Sequence, residues 1–288
     1  MGPFRPAGPS IGCLLSVFLA VAAGAETFRP QCASDDGFLQ VYADHAVDRA
    51  RCAAIAGRVL RAYAFSAGQS SWRDPNPLWA KPLRFRLLEG SLKVLGYAEG
   101  PNLMVMRDSY LDDPLSEGTL AHELTHIQDL RQLRGGKLPG FLLEGRALTI
   151  GRAYRASLGQ PENHYDRRMA GSAVRFTSGE AGRLLGEYRG QGWSYQAAGT
   201  FLVEYMRAKW NGTGVPDVQS RLARVIEAMA GGAGFETAFR REFATSFAAL
   251  RRSFLQYLDD TRDDPQARLH GTIWHATSPV DPSRRASD

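Results

Sequence analysis

The segment His122-Glu123-Leu124-Thr125-His126 constrains this chain more than any other feature, because it sets two imidazoles four residues apart with a carboxylate directly after the first. Positions i and i+4 share a helix face, so on an α-helix both histidines can hold one Zn²⁺ while Glu123 reaches a water on that metal. That is the geometry of metal-assisted hydrolysis. Five residues are a degenerate signal in a chain with six histidines, so the flanking sequence has to decide. It reads as helical. Asp113-Pro114 offers an N-cap followed by a proline whose fixed φ suits the first helical position. Leu115, Leu120, Leu124, Ile127 and Leu130 recur at helical spacing, Arg131 and Arg134 sit at the dipole-negative end, and Gly135-Gly136 stops the helix.

Catalytic zinc usually takes three protein ligands and leaves a fourth position to water. After the glycine pair, Pro139 opens a second helix that runs to about Ser157 and stops near Gly159, and Glu144 stands on its first turns. A short hairpin between antiparallel helices can bring this carboxylate back onto the imidazoles. Asp129, His164 and Asp166 are the alternatives for a third ligand. His164 lies in the polar stretch Gln160-Pro161-Glu162-Asn163-His164-Tyr165-Asp166, which reads as a surface loop or cleft rim. His45, His270 and His275 have no metal-ligand spacing and read as structural or exposed.

His-Glu-x-x-His followed, after a turn containing Gly and Pro, by Leu142-Leu143-Glu144-Gly145-Arg146-Ala147 resembles the gluzincin zinc metallopeptidases, particularly the small secreted peptidase MA-like group. The resemblance covers Asp113 to Gly159. It implies one zinc per chain held by His122, His126 and Glu144, with Glu123 as general base, in a zincin-like α+β fold. Seventeen residues separate His126 from Glu144, one or two fewer than in the better-known members. Four residues past Glu144, where thermolysin-like relatives carry an aspartate that orients a zinc histidine, this chain has Leu148, so that support must be built otherwise. Tyr195-Gln196-Ala197-Ala198-Gly199 resembles the tyrosine-to-glycine segment of gluzincin aminopeptidases, which makes Tyr195 the candidate donor to a developing oxyanion, with Tyr154 and Tyr165 as alternatives. Asn102 to Arg107 is a short apolar run that reads as a buried strand; by resemblance it adjoins the substrate cleft, and a strand that is only core is the equally economical reading. No motif for recognising a free N-terminus is visible.

Such a zinc would lower the pKa of its bound water towards about 7, Glu123 would take the proton as that water attacks a carbonyl, and the same group would return it to the leaving amine. Peptides or proteins are the substrates this predicts. A non-catalytic zinc-fold module that binds peptides or envelope components, and a zinc amidase acting on a non-protein amide, are the other readings.

Residues 1–25 read as a secretory signal peptide: Arg5 precedes the apolar run Ile11 to Ala23, too short to span a bilayer comfortably, and Ala23-Gly24-Ala25 is a small-x-small cleavage site. A retained N-terminal anchor is the alternative; after cleavage no membrane span is expected. The protein is then secreted or periplasmic. Cys13 leaves with the leader, and Cys32 and Cys52 become an even pair in an oxidising compartment, which suggests one disulfide; a buried free thiol at Cys52 is the alternative.

The mature length suits one domain of two lobes. Residues 26–158 form an α+β lobe carrying the zinc helices, with a helix over 44–64, a half-buried strand over Leu83 to Leu88 and two further strands between Gly90 and Met106. Residues 159–261 form a mainly helical lobe, with helices at 201–210, 218–230 and 246–258, and 262–288 is a loosely ordered tail anchored only by Ile273-Trp274. Net charge is +5, from 31 arginines and four lysines that are scattered rather than striped, so nucleic-acid binding gains no support. Oligomeric state is not legible.

Overall fold

A computed structural model describes residues 30–70, 82–90, 95–133, 138–160, 162, 164–186, 192–210, 215–264 and 267–268. The proposed leader, the Gly135-Gly136 stop, His270, His275 and the Ile273-Trp274 anchor lie outside these residues. Strands β1 (Pro30–Ala33), β2 (Leu39–Ala43), β3 (Leu83–Leu88), β4 (Gly96–Glu99) and β5 (Leu103–Arg107) form one mixed sheet in the order β1-β2-β3-β5-β4. The central pairs β2·β3 and β3·β5 are parallel, and both edge strands run antiparallel to their neighbours. The class is α+β, as the alternation of Leu83, Phe85 and Leu87 with Arg84 and Arg86 predicts for this strand.

Helix α1 (Arg49–Ser70) and helix α2 (Ser116–Leu133) pack on the sheet. Leu39, Val41, Phe85, Met104 and Met106 meet Ile55, Val59, Leu120, Leu124 and Ile127 in one buried core. Arg58 on α1 ties down the start of α2, donating to Glu117 Oε1 at 2.7 Å, Ser116 Oγ at 2.6 Å and the Leu111 carbonyl at 2.6 Å. A 3₁₀ turn over Asp108–Asp112 leads into α2, and Asp113 Oδ1 accepts the Leu115 N–H at 2.8 Å. The aspartate thus satisfies backbone donors ahead of the helix, although the α-helix itself begins at Ser116. Leu130, which the periodicity counts with the apolar face, is exposed at 37%.

The second core is helical. Helices α3 (Gly140–Ser157), α4 (His164–Arg175), α5 (Ser178–Leu184), α6 (Trp193–Trp210), α7 (Val215–Ala230), α8 (Phe235–Phe243) and α9 (Phe247–Asp260) enclose Phe141, Phe201, Phe239, Phe243, Phe247 and Phe254. The sequence reading undercounts these helices. His164 opens α4 rather than sitting in a loop, because Met169, Ala170 and Ala173 give that polar stretch an apolar face. The two cores meet along α2 and α3: Tyr154 belongs to the sheet side and Phe141 to the helical side of the same helix.

Strand β5 differs from its expected place at the cleft. It lies inside the sheet, bonded to β3 and β4, with Met104, Val105 and Met106 buried. The strand whose backbone reaches Glu123 of α2 is the edge strand β4, and Arg131, which is fully buried, donates to the Pro101 carbonyl at 2.6 Å and to Asn102 Oδ1 at 2.9 Å in the β4–β5 turn. An arginine that reads as a solvated helix end is the pin between α2 and the β4–β5 turn.

Cys32 and Cys52 form a disulfide that joins β1 to α1. Among the described residues, no helix is long and apolar enough to cross a membrane.

Candidate metal centre

Helix α2 buries Leu120, Leu124 and Ile127 against the sheet, and the 3.6-residue period then turns His122, Glu123 and His126 toward α3 and a cavity. His122 Nε2 and His126 Nε2 are 3.0 Å apart. From α3, Glu144 brings one oxygen to 3.6 Å from His122 Nε2 and the other to 3.7 Å from His126 Nε2. His122, Glu123 and His126 by themselves form a cluster able to hold a metal ion.

Glycines allow the helices to come this close. A Cβ on Gly151 of α3 would lie 2.5 Å from the Gly118 carbonyl oxygen of α2, one turn before His122. A Cβ on Gly145 would lie 2.2 Å from the Gly199 carbonyl oxygen of α6, and one on Gly199 would lie 2.1 Å from that of Phe141. Backbone therefore touches backbone on both sides of Glu144. Between α2 and α3, Asp129 accepts from Arg146 at 2.7 Å with both side chains buried.

Each of the two alternative aspartates has an arginine partner. Asp129 is engaged by Arg146, and Asp166 by Arg152 at 3.1 Å and by Arg155. The side chain of His164 lies outside the described residues, and His45 sits elsewhere, between Asp44 at 2.8 Å and Asp108 at 2.7 Å. Glu144 is the carboxylate brought onto both imidazoles.

Glu123 is placed for a different task. Its side chain is 12% exposed; Oε2 accepts the Ala98 N–H of β4 at 2.9 Å, and Oε1 lies 3.8 Å from His122 Nε2. Burial pushes this carboxyl up to about 7. Burial and the neighbouring His126 lower His122 to about 3, which keeps it neutral with a lone pair to offer. For His126 burial pulls down, but the hydrogen bond and charge of Glu144 prevail and raise it to about 9. Glu144 shows the converse: burial pushes it up, and His126 overrides that and holds it at about 2.

Tyr195 does not line the cavity. It is 1% exposed and packs edge-on to Phe141, with ring centroids 6.2 Å apart, inside the helical core. One position on, Gln196 turns to the cavity and its Nε2 donates to Glu144 Oε2 at 3.1 Å. A helix turns 100° per residue, so a slip of one register exchanges a core side chain for a site side chain. That segment thus sends Tyr195 into the core and Gln196 to the cavity. Of the other tyrosines, Tyr154 is buried against Phe65, while Tyr165 lines the cavity beside Trp193.

The cavity has a volume of about 440 Å³ and opens beside Glu123 and His122. Leu95 and Gly96 near the sheet edge, Leu115 of the α2 approach, Leu148 of α3, Met169 of α4 and Trp193 of α6 give it mostly apolar walls. Leu148 is thus a wall residue.

No protein-family model matches the chain, and no curated protein matches it.

Proposed function

We propose that this chain is a zinc-dependent metallopeptidase of the gluzincin kind, with His122, His126 and Glu144 as the metal ligands and Glu123 as the general base. The observation that carries the reading is the convergence of Glu144, from a separate helix, to 3.6 and 3.7 Å from the two Nε2 atoms. Two imidazoles with one carboxylate, beside a further carboxylate, are the donor set of a catalytic zinc site rather than of a closed structural one. When bound, the ion supplies an acidified water and polarises the scissile carbonyl.

The remaining work belongs to the chain. Glu123 accepts the proton of the attacking water and later delivers it to the leaving amine, and a carboxyl poised at about 7 can do both near neutral pH. The Ala98 N–H keeps that carboxylate aimed while β4 offers an extended backbone edge beside it. The apolar walls suit a peptide with a bulky apolar side chain next to the scissile bond. The Cys32–Cys52 disulfide supports a secreted or periplasmic setting, where thiols are not kept reduced.

Purified protein should bind about one zinc per chain, and Glu144→Ala should lose most of it. Glu123→Gln should keep the metal and cut peptide hydrolysis by roughly a thousandfold or more. Zinc-loaded wild type that cleaves nothing in a diverse peptide library would overturn the peptidase reading.

A further inference from the structure

We propose that Gln196 is a positioning residue for the metal: its amide holds Oε2 of Glu144, so that the carboxylate presents Oε1 alone to the ion and one coordination position stays open for water. This rests on the reading of His122, His126 and Glu144 as ligands.

The bond is specific in its atoms. Gln196 Nε2 donates to Glu144 Oε2 at 3.1 Å, the oxygen that also lies 3.6 Å from His122 Nε2, while Oε1, 3.7 Å from His126 Nε2, takes no hydrogen bond from Gln196. An unrestrained carboxylate can bind a dication through one oxygen or both, and the second mode uses the position that a catalytic site needs for water. A neutral amide N–H on one oxygen ties up a lone pair there, and it adds no charge to the ligand set. The helix packing makes the contact a fixed one. Gly145 follows Glu144 and meets the Gly199 backbone of α6, and Gly199 is one turn after Gln196, so the two side chains are set against each other by a backbone contact that cannot slide. Gln196 also lines the cavity beside Glu123 and Thr200, where the open position would face. It is the half-buried polar group that takes up the task of orienting a ligand.

Gln196→Met keeps the length and loses the donor. In the full chain loaded with Co²⁺ in place of zinc, the visible d–d bands report coordination number and weaken as it rises. The variant at saturating Co²⁺ should show bands weakened by at least about twofold and a metal affinity about tenfold lower, measured by competition with a chelator. A side chain that only packs would shift the unfolding midpoint and leave the saturated spectrum alone. Gln196→Glu, which places a like charge against Glu144, guards against a folding artefact: it too should change the saturated spectrum. An unchanged spectrum and an affinity within twofold of wild type in both variants would reject the role of Gln196 while leaving the metal site standing. Wild type that takes up no Co²⁺ would reject the ligand set and this role together.

Discussion

At His126 two opposing effects meet, and the balance predicts a proton count. Burial alone would strip the imidazole of its proton, but Glu144 raises the group to about 9, so near pH 7 it carries a charge that a metal ion has to displace. His122, lowered to about 3, gives up nothing. Binding of Zn²⁺ at neutral pH should therefore release the His126 proton, with any further release coming from Glu123 and the bound water, and apparent affinity should rise with pH until His126 has lost its own. Calorimetry in buffers of different ionisation enthalpy reads this directly; a binding heat independent of buffer would sink it. At this scale His122, Glu123 and His126 were legible from spacing alone, since i and i+4 lie together on any helix. Gln196 was not, because its role depends on which way α6 is rotated against α3, and Tyr195 was the neighbour the pattern favoured.

The helices show the same division. Pro139 at the start of α3 and the apolar repeat of α2 announce elements that are there. What the glycines within them do is a property of pairs of helices. Gly199→Ala would force a Cβ to 2.1 Å from a carbonyl oxygen, and it should cost about 1–3 kcal/mol or more by overpacking while loosening metal retention. On α5, a Cβ on Gly182 would meet side chains alone, Leu255 at 3.4 Å and Arg251 Nη2 at 3.9 Å, so Gly182→Ala should be neutral or stabilising by a few tenths to about 1 kcal/mol through helix propensity. Urea unfolding of the two variants settles the comparison, and equal stabilities would mean that the backbone contact between α3 and α6 is not tight. Arg131 belongs here as well. Its place near a helix end suggests a solvated charge interacting with the dipole, whereas the fold buries it to hold the β4–β5 turn, which is how Ala98 comes to meet Glu123.

Across the whole molecule, two features tether the sheet side. The Cys32–Cys52 bond closes a loop with a sequence separation of 20, and on loop-closure grounds Cys32→Ser with Cys52→Ser should lower stability by about 2–4 kcal/mol. A denaturant midpoint unchanged by reduction of the wild type would contradict this. His45 links Asp44, after β2, to Asp108, just before α2. The Asp44 hydrogen bond raises its pKa, burial opposes, and Asp108 raises it again. A raised folded-state pKa contributes stability that is complete below the ordinary histidine value and is lost as pH climbs through the folded value. The stability advantage of wild type over His45→Gln should thus shrink as pH rises above the ordinary histidine value of about 6.5 in urea titrations; a constant difference would show that the imidazolium bridge adds nothing.

The sequence by itself determined the local parts: a helix bearing two imidazoles and a carboxylate on one stripe, a second helix carrying Glu144, a strand at Leu83–Leu88, and a pair of cysteines. Each follows from periodicity, capping or parity, which act over a few residues or need only a count. Tertiary structure decided which carboxylate reaches the imidazoles, that the β4 backbone meets Glu123, that Tyr195 packs in the helical core, and that Gln196 donates to Glu144. Those outcomes depend on distances between elements far apart in the chain, set by glycine backbone contacts and buried arginines whose partners no local pattern names.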